Sequence, residues 1–246
     1  MTKTDNTIRG MTFYNRDYPQ LLQEIDRAIF LKTACFISTP TTEIIGDSLR
    51  DPEMMTILKS ATLRIPDSVT LVLLAKLLGK KIPKRLTGID TIYNLGQSTT
   101  QKYRVFYLGA KPEIVRRARE CSSALFPAFD IVGVHHGYYQ EKDVMGIIED
   151  INQSQADIVF VGLGFPKQEK FIYRYHKQLK VPVMMTVGGS FDVISGSVKR
   201  APRWLQNLGL EWAYRFIQQP SRIRRMVLIP LYLFHLFFYE LRHRRV

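Results

Sequence analysis

The chain has 246 residues, 46% of them hydrophobic and 23% charged, which suits one large folded domain with an appendage and excludes a low-complexity chain or a solenoid of repeats. Its formal charge of +13 favours an anionic partner: nucleic acid, anionic lipid or a phosphorylated substrate. Cys35 and Cys121 stand in apolar contexts and are expected to be buried free thiols of a cytoplasmic protein, not a disulfide.

The N-terminal stretch "MTKTDNTIRGMTFYNRDYPQ" is polar and has no apolar run of the kind a secretory signal needs. From about residue 33, short apolar runs alternate with longer helical stretches. "ACFIST" (34–39) predicts a strand, followed by a helix around Glu43–Lys59. "ATLRIPD" (61–67) predicts a second strand and Leu71–Leu78 a helix. "YRVFYLG" (103–109) predicts a third, followed by a helix with Pro112 in its first turn. "FDIVGVH" (129–135), "ADIVFVGLG" (156–164) and "VPVMMTVGG" (181–189) predict three more. Fully apolar strands between amphipathic helices argue for an α/β fold: an open, doubly wound, mostly parallel sheet covered on both faces. Strand order is left open.

From about Ala201 the alternation stops, so the chain divides into a core, 1–200, and a helical, arginine-rich appendage, 201–246. In the appendage Leu205, Leu208, Trp212 and Phe216 share one helical face. From Arg200 onward there are nine arginines and no lysine, against only Glu211 and Glu240. Arginine throughout favours bidentate recognition of phosphate, although an ordinary solvated face fits the same composition.

The chain closes on "RRMVLIPLYLFHLFFYELRHRR". Met226–Tyr239 is fourteen residues, and as a helix it would reach about 21 Å, short of a hydrocarbon core of about 30 Å. Pro230 is expected to kink it. Arginines at both ends favour a segment lying in the membrane surface, or re-entering it, over one that crosses. The apolar neighbours of these arginines argue for lipid over nucleic acid. The competing reading is a helix buried in an oligomer interface.

Thr39, Asp67, Gly109, His135, Gly162 and Gly188 all fall at or just beyond the C-terminal ends of predicted strands, the edge where open α/β sheets bind ligands. In "GLGFPKQEKF", Gly162 and Gly164 permit close backbone approach, Pro166 suits a helix start whose N–H groups favour an anion, and Lys167 and Gln168 offer a cation and an amide. Lys167 occupies the third glycine position of a GxGxxG fingerprint, which weakens a dinucleotide reading. In "IPDSVTLV", Asp67 fits two roles, the N-cap of the following helix or a general base in a partly dehydrated crevice. In "GGSFDVISGSVKRAP", Asp192 and Lys199–Arg200 fit a loop around a nucleotide or a turn with an exposed basic end. His135 and His136 are adjacent and diverge in extended chain, and no HExxH, CxxC, Walker A or GxSxG pattern occurs. No metal site or cofactor is expected.

The ordered set "TPTTEII", "IPDSVTLV", "KRLTGID", "YLGAKPEIV", "VGVHHGYY", "GLGFPKQEKF", "GGSFDVISGSVKRAP" and "LGLEWAYRFIQQPSRIRR" resembles the WecG/TagA/CpsF family of bacterial glycosyltransferases over roughly residues 8–226. The resemblance implies an inverting transferase with a Rossmann-like core, the GT-E fold. Such an enzyme moves a sugar from a UDP-sugar to an undecaprenyl-diphosphate-linked saccharide at the cytoplasmic membrane face, in surface polysaccharide synthesis. It implies Asp67 as catalytic base, Thr39 on the acceptor side, Gln168 and Asp192 around UDP with Tyr138 near it, and Arg215, Arg222 and Arg225 closing over the diphosphate. Arg85 belongs to the motif around "RLTGID". Gly109, Gly162, Gly164 and Lys167 complete the nucleotide side. Thr41, beside the acceptor pocket, stands where many members have Asn, and Ser68 stands where a Gly follows the aspartate. The family also implies self-association. A non-catalytic, membrane-docked scaffold would keep the tail without needing the strand-end residues, and an oxidoreductase would need the incomplete fingerprint.

Overall fold

The computed structural model describes residues 6–202 and 227–243, together with Leu205 and Tyr214. Six strands form one sheet: β3 (Cys35–Ser38), β4 (Leu63–Arg64), β5 (Tyr103–Gly109), β6 (Phe129–His135), β7 (Ile158–Gly162) and β8 (Val183–Thr186). Their order across the sheet is β4-β3-β8-β7-β5-β6, and every neighbouring pair is parallel. A small antiparallel hairpin, β1 (Thr7–Ile8) and β2 (Met11–Thr12), precedes it.

β5 shows why the strands are largely apolar, with only Arg104 exposed near its start. Successive side chains point to opposite faces, and both faces are covered. Tyr103, Val105 and Tyr107 enter one core with residues of α1 (Tyr18–Phe30), α5 (Gly88–Gly96), α6 (Pro112–Leu125) and α9 (Ser190–Ile194). Phe106 and Leu108 enter the other, with α7 (Val144–Gln153) and α8 (Lys167–Tyr175). Burying each such side chain contributes about 1.5–3 kcal/mol.

Local chemistry redraws several expected boundaries. The helix expected over Glu43–Lys59 is two, α2 (Thr42–Ser48) and α3 (Pro52–Ser60). Pro52 disfavours helical backbone at Asp51, and the Asp51 side chain instead caps α3 by accepting from the Met54 N–H at 3.1 Å. The strand expected over 61–67 pairs only at Leu63–Arg64, before Pro66 removes a donor. α1 and α5 are additional elements. α1 is opened by a capping box between Asp17 and Gln20, and α5 by Thr87. Cys35 is buried, whereas Cys121 on α6 is only partly so; both are free.

The apolar tail forms α10 (Ile229–Arg242), fourteen residues with Pro230 in its first turn. Pro230 lies in the first turn of this helix, where N–H groups have no partner within the helix in any case, and just ahead of it Val227 is helical and Leu228 forms a turn, so the helical path is interrupted beside the proline. Among the described residues no helix is long and apolar enough to cross a membrane. One face of α10 packs on the body. Leu236 is fully buried and joins Ile45 of α2 and Leu71, Leu74 and Ala75 of α4 (Val69–Leu77) in a third core, with Ile8 and Met11 of the hairpin. Tyr232 donates to Asp47 at 2.5 Å while its ring covers Gly46. Glu240 is buried, accepting from the Arg9 N–H at 2.7 Å and pairing with Lys80 at 2.8 Å. The Arg9 guanidinium lies 3.5 Å from the Tyr239 ring centroid. The opposite face of α10 exposes Leu231, Phe234, Phe238 and Leu241.

Gly46 is required by this docking, since a Cβ there would run into the Tyr232 ring. Gly46→Ala is expected to lower stability by about 1–3 kcal/mol and to make the 229–242 segment easier to cleave by protease. Thermal melts and limited proteolysis check this, with Tyr232→Ala added to relieve the clash. An unchanged melt and cleavage pattern for Gly46→Ala would mean that the helix does not depend on this contact.

Candidate active site

The sheet order locates the crevice. After β5 the chain crosses to β6 on one side, and after β7 it crosses to β8 on the other, so the connections leaving two adjacent strands diverge between their C-terminal ends. Gly109 and Gly162 stand at those ends, paired in register, with the Ala110 N–H donating to the Gly162 carbonyl at 3.1 Å. Gly109 has φ +142°, and any Cβ on it would enter the Gly162 backbone. Gly137 donates to the Ala110 carbonyl at 2.8 Å, which sets the exposed Tyr138 beside the glycine pair. Gly164 and an exposed Lys167 bracket the start of α8. Asp192 lies half-buried on α9, just past Gly188.

Gln168, expected as a nucleotide contact, is buried, and both ends of its amide are engaged within the protein. Its Oε1 accepts from the Gly188 N–H at 3.1 Å, and its Nε2 donates to Glu169 at 2.9 Å. In this structure the side chain ties the start of α8 to the β8–α9 turn.

The other half of the edge is built around Asp67. Its N–H donates to the Pro40 carbonyl at 3.4 Å, its Oδ2 accepts from the Gly88 N–H at 3.2 Å, and its Oδ1 lies 3.9 Å from Arg85 Nε. The capping role belongs to its neighbour: Ser68 Oγ accepts from the Leu71 N–H at 3.2 Å and opens α4. Ser68 also accepts from the Thr42 N–H at 3.2 Å and meets Thr42 Oγ1 at 3.1 Å, stitching the start of α4 to that of α2. Thr41 caps α2 and Thr87 caps α5, so three capped helix starts meet at this edge, and that of α5 donates the Gly88 N–H to the Asp67 carboxylate. Thr39 lies in the same crevice, but its hydroxyl is occupied by β8, 3.2 Å from both the carbonyl and the hydroxyl oxygen of Thr186.

Arg200, read from sequence as part of an exposed basic end or a nucleotide loop, instead pairs with Asp90 of α5 and is partly buried. The remaining appendage positions singled out from the sequence, Arg215, Arg222, Arg225, Leu208, Trp212 and Phe216, lie outside the described residues. Among the described residues no group of three or more His, Cys, Asp or Glu side chains could hold a metal.

Two residues of this region escape sequence reasoning. Ser68 reads as a helix start, and only the fold brings Thr42 to it. Glu169 reads as an ordinary surface acid, yet it is 1% exposed and its Oε2 has no hydrogen-bond partner among the described residues. Burial raises its pKa from 4.5 to about 7, against the opposing hydrogen bond from Gln168.

A raised folded-state pKa means that this contribution to stability is intact below about pH 4.5 and is lost as the pH climbs to about 7, on the order of 3 kcal/mol in all. Glu169→Gln is expected to remove that portion of the pH dependence and to be the more stable protein at about pH 8. Urea midpoints of both proteins across this range give the difference directly. Parallel curves would show that Glu169 ionises as readily in the folded state as in the unfolded one.

Comparison with known proteins gives the family. The Glycosyl transferase WecG/TagA/CpsF family matches residues 6–246. A Bacillus subtilis protein named N-acetylglucosaminyldiphosphoundecaprenol N-acetyl-beta-D-mannosaminyltransferase is 34% identical over 228 residues, 92% of this chain and 88% of that protein. A Bacillus spizizenii protein of the same name is 39% identical over 198 residues, 80% of this chain and 76% of its own. One from Staphylococcus aureus is 30% identical over 231 residues, 92% and 90%. The strand-end crevice around Asp67 and the Gly109–Gly162 pair is thus carried by a chain that belongs to the WecG/TagA/CpsF glycosyl transferase family.

Proposed function

We propose that the protein is an inverting glycosyltransferase of bacterial surface polysaccharide synthesis, moving a sugar from a UDP-sugar to an undecaprenyl-diphosphate-linked saccharide. The observation that carries this reading is the Asp67 carboxylate held by the Gly88 N–H and Arg85 where the capped starts of α2, α4 and α5 meet, on the same sheet edge as the glycine pair at the switch point. The relatives' names make N-acetylmannosamine the first donor sugar to test and an N-acetylglucosaminyl-diphosphate lipid the first acceptor.

In this reading UDP lies along Gly109, Tyr138, Gly162, Gly164, Lys167 and Asp192, with Gln168 holding the turn beneath it. The acceptor sugar enters over Thr39, Thr41 and Arg85. Asp67 takes the proton of the acceptor hydroxyl, whose oxygen bonds to the anomeric carbon from the face opposite the leaving group. The bond to the diphosphate oxygen breaks, and UDP departs with the electron pair. The Gly88 N–H and Arg85 hold the carboxylate in one orientation while it does this. The sequence has no DxD-like acidic pair, so the charge developing on UDP is assigned to Arg215, Arg222, Arg225 and backbone N–H groups, without a metal. The core, 1–200, would carry the chemistry, with the appendage completing the site as a peripheral attachment at the cytoplasmic face of the membrane. The protein would work without a nucleic-acid partner, and self-association fits the same reading.

The test is UDP release by the full-length protein, with a panel of UDP-sugars and polyprenyl-diphosphate-linked acceptors in liposomes. Release that requires both one donor and an acceptor is the expected result. UDP binding without release from any pair would favour a scaffold, and absence of UDP binding would end the transferase reading. Asp67→Asn is expected to lower turnover about 100-fold or more with UDP affinity retained. Turnover close to the parent's would remove Asp67 from the base role.

A further inference from the structure

Two helices in contact leave large apolar side chains outside. On α10, Leu231, Phe234, Phe238 and Leu241 recur at intervals of three and four residues and share one face, opposite the buried Leu236. On α4, Leu73 and Leu77 are 53% and 75% exposed, four residues apart, although Leu71, Leu74 and Ala75 already satisfy the core. The outer leucines of α4 do nothing for the fold. α4 packs against α10 and shares the core that buries Leu236. The Lys80–Glu240 pair and the Tyr232–Asp47 bond prevent α10 from acting as a loose tether. A concentration of exposed apolar surface on elements so firmly held marks an interaction site.

Charge identifies the occupant. Lys76, Lys81, Lys84 and Arg242 are all exposed around these helices. No acid occurs between Val69 and Thr87, and the single acid of α10, Glu240, is buried and paired. A second copy would bring one cationic rim against another, whereas an anionic lipid surface complements the rim and accepts the leucines and phenylalanines.

We propose that α4 and α10 together form a face that rests on an anionic lipid surface, so that the helix beginning next to Asp67 itself lies against the membrane. The functional part of this inference rests on the lipid-linked acceptor proposed above. α4 is nine residues, about 13 Å long, so Asp67 would stay within about 15 Å of the surface that receives Leu73 and Leu77. That is the zone in which a saccharide joined to a lipid by a diphosphate ends. The tail would then be half of the attachment, and α4 would set the height of the site.

The experiment is co-sedimentation of the full-length protein with phosphatidylcholine vesicles, with and without phosphatidylglycerol. Two variants are compared, Leu73→Ser/Leu77→Ser and Phe234→Ser/Phe238→Ser, each checked by thermal melt and UDP binding. Both are expected to bind phosphatidylglycerol vesicles about tenfold less tightly than the parent, with melts and UDP affinity unchanged. If the serine pair on α4 fails to fold, Lys81→Glu/Lys84→Glu probes the same face and is expected to weaken binding to the anionic vesicles alone. Parent-like vesicle binding by the α4 variants, with loss in the α10 variant, would overturn the role of α4. A change of oligomeric state in the α4 variant without a change in vesicle binding would assign the face to a second copy and also overturn it. A parent that binds anionic vesicles through both helices but binds no UDP would uphold the lipid face while the transferase reading fails.

Discussion

A parallel sheet covered on both faces leaves few places for polar side chains along its strands: Arg104 and Asp130 reach solvent near the starts of β5 and β6, and Ser38 and Thr186 stand at strand ends. In this protein Val105, Tyr107 and Phe160 are fully buried on one side of the sheet and Val161 on the other. Polar chemistry is therefore pushed to the strand ends, and the crossover pattern decides which end opens. The divergence of the chain after β5 and β7 makes the crevice, and the Gly109–Gly162 contact allows the two strand ends to approach without filling it.

Everything placed around the crevice is held by bonds between connections that are far apart in sequence. Asp67 is gripped at its backbone by Pro40, at its carboxylate by Gly88 and Arg85, and through Ser68 by Thr42. Gln168 and Gly188 do the same for the opposite half. Such cross-links hold a reactive group in one orientation with little left for a substrate to organise, and short polar side chains at helix starts serve this purpose well because each also satisfies an N–H of its own helix. This is why Thr39, Thr41 and Gln168 are engaged within the protein at the edge where a ligand would lie.

The same economy governs the tail. A fourteen-residue apolar helix cannot span a bilayer, and a wholly solvated one would expose too much hydrocarbon. Docking one face on α2 and α4 through Gly46, Leu236 and Glu240 removes part of that exposure and gives the remaining face a fixed direction relative to Asp67.

By itself the sequence determined the α/β class, the runs that become β5 and β6, the Pro112 helix start and the edge that carries the polar residues, because hydrophobic period and helix-start chemistry are local. The ordered motifs also carried the family. Only the tertiary structure decided the strand order, since parallel pairing joins segments whose separation leaves no mark in composition. It divided Glu43–Lys59 in two at Asp51–Pro52, a stop present in the sequence but outweighed there by the apolar pattern on either side. It also set the break beside Pro230, with a turn at Leu228 and the proline in the first turn of α10. The capping role passed from Asp67 to Ser68, and the surface-like Glu169 became a buried acid, for one reason. Whether a polar side chain faces water, a helix N–H or a neighbouring turn depends on which distant segment packs over it, and only the fold supplies that segment.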